Sequence, residues 1–178
     1  QGRFESSLWT GLQPLLNDVG RRGNWLQLFV ASDAGPTPGL AMKWARCFNQ
    51  QKGRQGAHTF LDAYLSPRIV VWVIAQWLRL VVTSWRLRQV RNAFRPHGSQ
   101  ISLWPVMRRD WVASMRGADA VNNLLWIRLF DVALSDLPHQ VVGLYAHENQ
   151  AWERALIRAW RKHNHGRLIA VAHSTVRF

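Results

Sequence analysis

Cysteine, lysine and negative charge are all scarce in this chain, and each scarcity narrows what it can be. Cys47 stands alone, so no internal disulfide forms and a reducing compartment is the default. Of 23 basic residues only Lys43, Lys52 and Lys162 are lysine, and 10 acidic residues leave a net charge of +13. Nucleic-acid tails mix Lys and Arg in dense runs, whereas here arginine is scattered through helix-like patterns. The balance fits attraction to an anion such as a sugar nucleotide, an acidic lipid or nucleic acid. It fits a GC-rich genome equally well.

Several motifs are also missing. There is no GxGxxG, GxxxxGK[ST] or GxSxG, which argues against dinucleotide enzymes, P-loop NTPases and serine hydrolases. "HENQA" at 147–151 lacks the second histidine of a zincin. "HNH" at 163–165 sits in a polar turn with no acidic neighbour in sequence, and reads as a solvated loop rather than a metal site. The opening "QGRFESSLW" carries no basic-then-apolar leader pattern. The apolar run from Ile69 is interrupted by Gln76 and Arg79, short of the about 20 apolar residues a membrane span needs. A packed long helix is the favoured reading of that segment, with an interfacial helix on anionic lipid as its alternative.

What is present suits a globular protein. The 178 residues are 48% apolar and 19% charged, enough for one domain with a real core. Eleven tryptophans exceed what such a core needs, and some are expected to face a ligand, a partner or a membrane surface. The start without Met and the end just after a strand-like run predict a fragment of a longer protein.

Periodicity predicts helices over 5–19, 40–50, 66–94, 104–115, 118–135 and 150–162, with strands over 24–30, 139–147 and 167–174 and one over 57–65 that runs into a loop. "SDAGPTPG" (32–39) and "RPHGSQ" (95–100) are breakers, and Ser66-Pro67 is a helix start. Alternation of this kind predicts an α/β fold with a parallel sheet flanked by helices, in a single domain over 1–178. The last unit, strand 141–145, helix 150–162 and strand 168–172, reads as a βαβ crossover.

In an open α/β sheet, ligands sit outside the carboxyl ends of the strands. Glu148 and Asn149 stand at such an end, with Asn149 expected to cap the following helix, whose N-terminus suits an anion. His173 and Ser174 end the next strand, and Asp62 follows "HTFL". Two carboxylates, an imidazole and small donors in one crevice can perform glycosyl chemistry: one carboxylate acts at the anomeric carbon while another group handles the proton. Plainer readings stand beside this: Glu148 complementing the helix dipole, His173 as a hydrogen-bonded strand end, and Asp62 as a loop cap.

Those residues also carry a resemblance. "YAHENQAWERALIRAWRKHNHGRLIAVAHSTVRF", with "NWLQLFV", "PTP" and "FLDAYLS", resembles a family of bacterial surface-carbohydrate biosynthesis proteins similar to Kdo transferases of the GT-B type. The resemblance runs across most of the chain and is most specific in "ENQAWE" and "HSTVRF". It implies a cytoplasmic, membrane-peripheral glycosyltransferase of lipopolysaccharide or capsule synthesis, with two Rossmann-like domains of which this chain is the amino-terminal, acceptor-side half. The second, nucleotide-binding domain is then missing. The resemblance further implies a nucleotide-sugar donor, CMP-Kdo, with no other cofactor and no metal. The acceptor would be a lipid-linked or membrane-bound glycan, made near an anionic inner leaflet. By motif position Glu148 is the attacking carboxylate, His173 assists and Asp62 is the acid/base or acceptor-orienting group. Asn149, Ser174 and Arg177 bind substrate, Arg177 holding a sugar carboxylate or phosphate. Glutamate stands where the family pattern has an aspartate nucleophile. The rival readings are a basic nucleic-acid-binding module, for which no motif is present, and a non-catalytic membrane-peripheral scaffold.

Overall fold

The computed structural model describes residues 9, 11–18, 23–30, 35–50, 56–87 and 89–172. These residues fall into two compact units, the first reaching to Tyr64 and the second spanning Leu65–Ala172.

The first unit contains helix α1 (Leu12–Asp18), strand β1 (Trp25–Gln27), helix α2 (Pro38–Gln50) and strand β2 (His58–Phe60). A 3₁₀ turn over Leu61–Tyr64 follows β2. β1 and β2 are parallel, with Trp25 opposite His58 and Gln27 opposite Phe60. α2 turns Ala41 and Ala45 inward, small side chains that let it lie close to the strands. Asn49, near its end, extends the ladder with a side chain: its Nδ2 donates to the His58 carbonyl at 2.7 Å, and its Oδ1 accepts from the His58 N–H at 2.8 Å. The sequence predicts a longer first strand, over 24–30, and a second within 57–65 that runs into a loop. In the second case Leu61 breaks away into the 3₁₀ turn and becomes fully buried.

The second unit contains α3 (Pro67–Arg86), α4 (Val90–Ala93), α5 (Trp104–Arg116), α6 (Ala118–Asp136), β3 (Val142–His147), α7 (Ala151–Lys162) and β4 (Arg167–Ala172). The expected single helix over 66–94 is instead two. α3 stops at Arg86, where the Leu87 N–H caps the Thr83 carbonyl, and α4 is a separate short turn. α6 is apolar around most of its circumference because α3, α5 and α7 all pack on it. Its Ala120, Leu124, Leu129, Phe130, Ala133 and Leu134 form the centre of the core.

Polar ties hold the helices in place. Trp77 Nε1 donates to the Arg116 carbonyl at 3.0 Å, and Arg116 Nε donates to buried Ser84 at 2.6 Å. The Arg128 guanidinium lies over the Trp72 ring and pairs with Asp131 at 2.9 Å. Gly117 ends α5 and begins α6, and a Cβ there would stand 2.9 Å from Ala113 Cα, so the tight joint requires glycine.

β3 and β4 are parallel over six residue pairs, from Val142–Arg167 to His147–Ala172, with α7 as the crossover. This is the expected βαβ unit. α7 lies close on the strands at Gly143, where a Cβ would come within 2.5 Å of the Trp160 ring. Trp160 in turn donates its indole N–H to the Gly166 carbonyl at 2.7 Å. α7 ends in a Schellman motif: His165 N–H bonds the Trp160 carbonyl, Asn164 N–H bonds the Arg161 carbonyl, and Asn164 takes the left-handed φ of 53°.

The fold is therefore mixed α/β, with two two-stranded parallel sheets among the described residues.

Candidate functional site

β3 delivers His147 and Glu148 to the carboxyl edge of its sheet, where the parallel pairing with β4 ends at Ala172. Alternation along the strand places Gly143, Tyr145 and His147 on the face that α7 covers. Rings fix this corner. Tyr145 meets both His147 and Trp152 edge-on, at centroid separations of 6.2 and 6.1 Å, and Trp152 stacks on Phe130 of α6.

The chain must then turn from strand into helix, and Asn149 makes that turn in the left-handed region at φ 58°. Asparagine tolerates this conformation better than most residues. The helix cap is Gln150, extended at φ −88° and ψ 156°, which corrects the expected Asn149 cap. Asn149 supplies the turn instead, and the cap falls one residue later.

The carboxylate that organises the joint is Glu153, one turn into α7. Its Oε1 accepts the Gln150 N–H at 2.7 Å and the Glu148 N–H at 2.9 Å, and its Oε2 accepts from His147 Nδ1 at 2.5 Å. Glu153 is only 3% exposed. Burial pushes its carboxyl up, but the two backbone N–H groups and the His147 ring outweigh burial and hold it below the ordinary carboxylate range. An ionised carboxylate only accepts, so Nδ1 of His147 donates to it, and Nε2 is the ring nitrogen left to exchange a proton. The His147 side chain is half-exposed. The result is an oriented imidazole backed by a buried carboxylate, with exposed Glu148 next to it in the chain. Such a pair can take a proton from a hydroxyl and return it.

Sequence reasoning singled out Glu148 here and missed His147 and Glu153. The signal was available: Gln150 and Glu153 have capping-box spacing, and the glutamate of such a box reaches back to backbone N–H groups.

Asp62 is exposed in the 3₁₀ turn after β2, at the carboxyl end of that strand as expected, and belongs to the first unit. His173, Ser174 and Arg177 lie outside the described residues. His173 directly follows Ala172, the residue in register with His147.

In the first unit a cleft of about 330 Å³ opens beside β1, lined by Phe29, Trp44, Phe48, Phe60, His58 and Gln27 among others. In the second, the "HNH" turn does have an acidic partner, brought from 32 residues away. His163 Nε2 and Lys162 Nζ both reach Asp131 Oδ1, at 2.9 and 2.6 Å. His165 bridges the Leu134 carbonyl and the Gln140 N–H, at 3.0 and 3.1 Å. Both histidines thus fasten the end of α7 to α6 and to the segment before β3. Among the described residues no three His, Cys, Asp or Glu side chains gather as a metal-holding group.

The fold and these sites define a mixed α/β protein with two parallel strand–helix–strand units. Comparison with protein-family models, curated proteins and solved structures returns no match.

Proposed function

We propose that the carboxyl edge of β3–β4 is the acceptor-side site of a glycosyltransferase of bacterial surface-polysaccharide synthesis, one that transfers a sugar such as Kdo from a nucleotide donor. The observation that carries this reading is the His147–Glu153 pair beside Glu148. It supplies a base for an acceptor hydroxyl and a carboxylate for an anomeric centre at one strand end. In this scheme His147 Nε2 takes the acceptor proton as the new glycosidic bond forms and the donor's bond to phosphate breaks. Glu153 orients the ring, and Glu148 steers charge at the anomeric carbon or attacks it. The excess of arginine suits a phosphorylated donor. The family resemblance carried by "ENQAWE" points to the same chemistry.

The test is a transferase assay across several nucleotide sugars, CMP-Kdo included, with wild type, Glu148→Gln and His147→Gln. Losses of about a hundredfold or more in kcat are expected for both variants, in the range that a positioned acid or base contributes. Variants as fast as wild type would remove these residues from the mechanism. A wild-type chain that consumes no nucleotide sugar, even with the rest of any longer protein supplied, would remove the function itself.

The charge of +13 favours a second reading, a nucleic-acid-binding module. It predicts tight binding to RNA or DNA with a steep salt dependence, which the same protein preparation can be tested for directly.

A further inference from the structure

α3 is built the wrong way round for a helix on a protein surface. Its buried side is narrow, with Ile69, Val73 and Ser84 turned toward the rest of the unit. On the opposite side Val71, Ile74, Leu78, Val82 and Trp85 stand between 44% and 67% exposed. Their spacing of three and four residues puts them in one stripe along the whole helix. Isolated exposed apolar residues are ordinary, but a continuous stripe of five marks a surface that meets something.

The charge beside the stripe says what. Arg68, Arg79 and Arg86 are all exposed and lie about a quarter-turn round the helix from it, in a second row. Among the described residues none of the three pairs with a carboxylate, and segment 65–87 contains no acidic residue at all. Trp85 sits at the carboxyl end of the stripe with the Arg116 guanidinium over its ring. An apolar stripe rimmed by arginines, with an indole at one end, matches a bilayer surface in cross-section. The aliphatic side chains enter the acyl boundary, while the arginines run their stems along it and keep their heads at the phosphates.

α3 also passes the length and hydropathy test for a span. Three features favour lying on the membrane over crossing it. Arg79 falls near the middle of the helix, Ser84 on the inner face is tied to Arg116, and Trp77 is tied to the Arg116 carbonyl. A helix crossing the bilayer by itself would have to give up those bonds.

We propose that α3 docks this protein flat on an anionic phospholipid surface through the stripe Val71–Ile74–Leu78–Val82–Trp85, with Arg68, Arg79 and Arg86 at the headgroups. The test is flotation of the protein with phosphatidylcholine vesicles with and without phosphatidylglycerol. Binding is expected to the anionic vesicles, released by alkaline carbonate. Each arginine at an anionic surface contributes about fivefold in affinity, so Arg68→Gln, Arg79→Gln and Arg86→Gln together should weaken binding about a hundredfold. Val71→Ser with Leu78→Ser should weaken binding to anionic vesicles at least tenfold. Unchanged circular-dichroism melts would show that both variants still fold. Glu148→Gln should float like wild type, which separates this proposal from the transferase reading. It is overturned by no flotation, by flotation that resists carbonate as a spanning helix does, or by self-association without lipid that the stripe variant abolishes. Equal binding by the arginine variant would also overturn it.

Discussion

His147 and Glu153 meet at 2.5 Å across six residues of chain, joining the end of a strand to the first turn of the next helix. The same carboxylate holds the N–H groups of Glu148 and Gln150, so one buried side chain sets the shape of the whole joint. Most of the testable behaviour of the β3–α7 corner follows from that arrangement.

Glu153→Ala should destabilise the second unit by about 2–4 kcal/mol, because two backbone donors and an imidazole lose their buried acceptor. Denaturant unfolding measures this. A variant within about 0.5 kcal/mol of wild type, the usual size of a surface change, would mean that water replaces the carboxylate freely.

Acid should loosen the protein for a related reason. For both Glu153 and Asp131 burial raises the carboxyl. It is outweighed by the N–H groups of Gln150 and Glu148 with His147 in one case, and by Lys162 and His163 in the other. Both therefore titrate below their unfolded values, and the folded chain binds fewer protons than the unfolded chain in that range. Their stabilisation is full above the unfolded carboxylate range and disappears as pH falls through the lower folded values. The urea midpoint should drop on acidification, and Glu153→Gln with Asp131→Asn should flatten that dependence. An equally steep profile in the double variant would assign the effect to other groups.

Gly143→Ala should cost about 1–3 kcal/mol through overpacking, because the new methyl meets the Trp160 ring and Leu168. Adding Trp160→Leu should recover part of the loss by making room. Strictly additive losses in the double-mutant cycle would show that the two side chains do not share that space.

Asn164 holds the left-handed position of the Schellman motif. Asn164→Ala should destabilise by about 1 kcal/mol, the cost of that conformation for a residue with a Cβ and no compensating amide, whereas Asn164→Gly should be neutral or slightly stabilising. Thermal melts of the two variants give the comparison directly. Equal melting points would sink it.

Much of the local structure was legible in the residues alone. The helices expected over 104–115, 118–135 and 150–162 appear with bounds within one residue, because glycine and proline punctuate them and their apolar spacing is regular. The parallel β3–α7–β4 unit was legible for the same reason. The expected helix over 66–94 failed because no glycine or proline marks its break at Leu87. The strand expected to run into a loop within 57–65 leaves its extended course at Leu61, where the chain enters a 3₁₀ turn that buries this side chain.

Apolar periodicity and local breakers act over a few residues, so the sequence by itself determined the order of helices and strands and the parallel pairing near the end of the chain. It also placed a polar joint after β3. Only the tertiary structure decided which carboxylate at that joint is buried, Glu153 rather than Glu148, and which histidine it orients. Tertiary structure likewise gave His163 its partner in Asp131, and left the apolar stripe of α3 facing outward. Burial and long-range partners depend on which helix faces pack together. A stripe of valine and leucine reads the same whether it is turned into a core or toward a membrane.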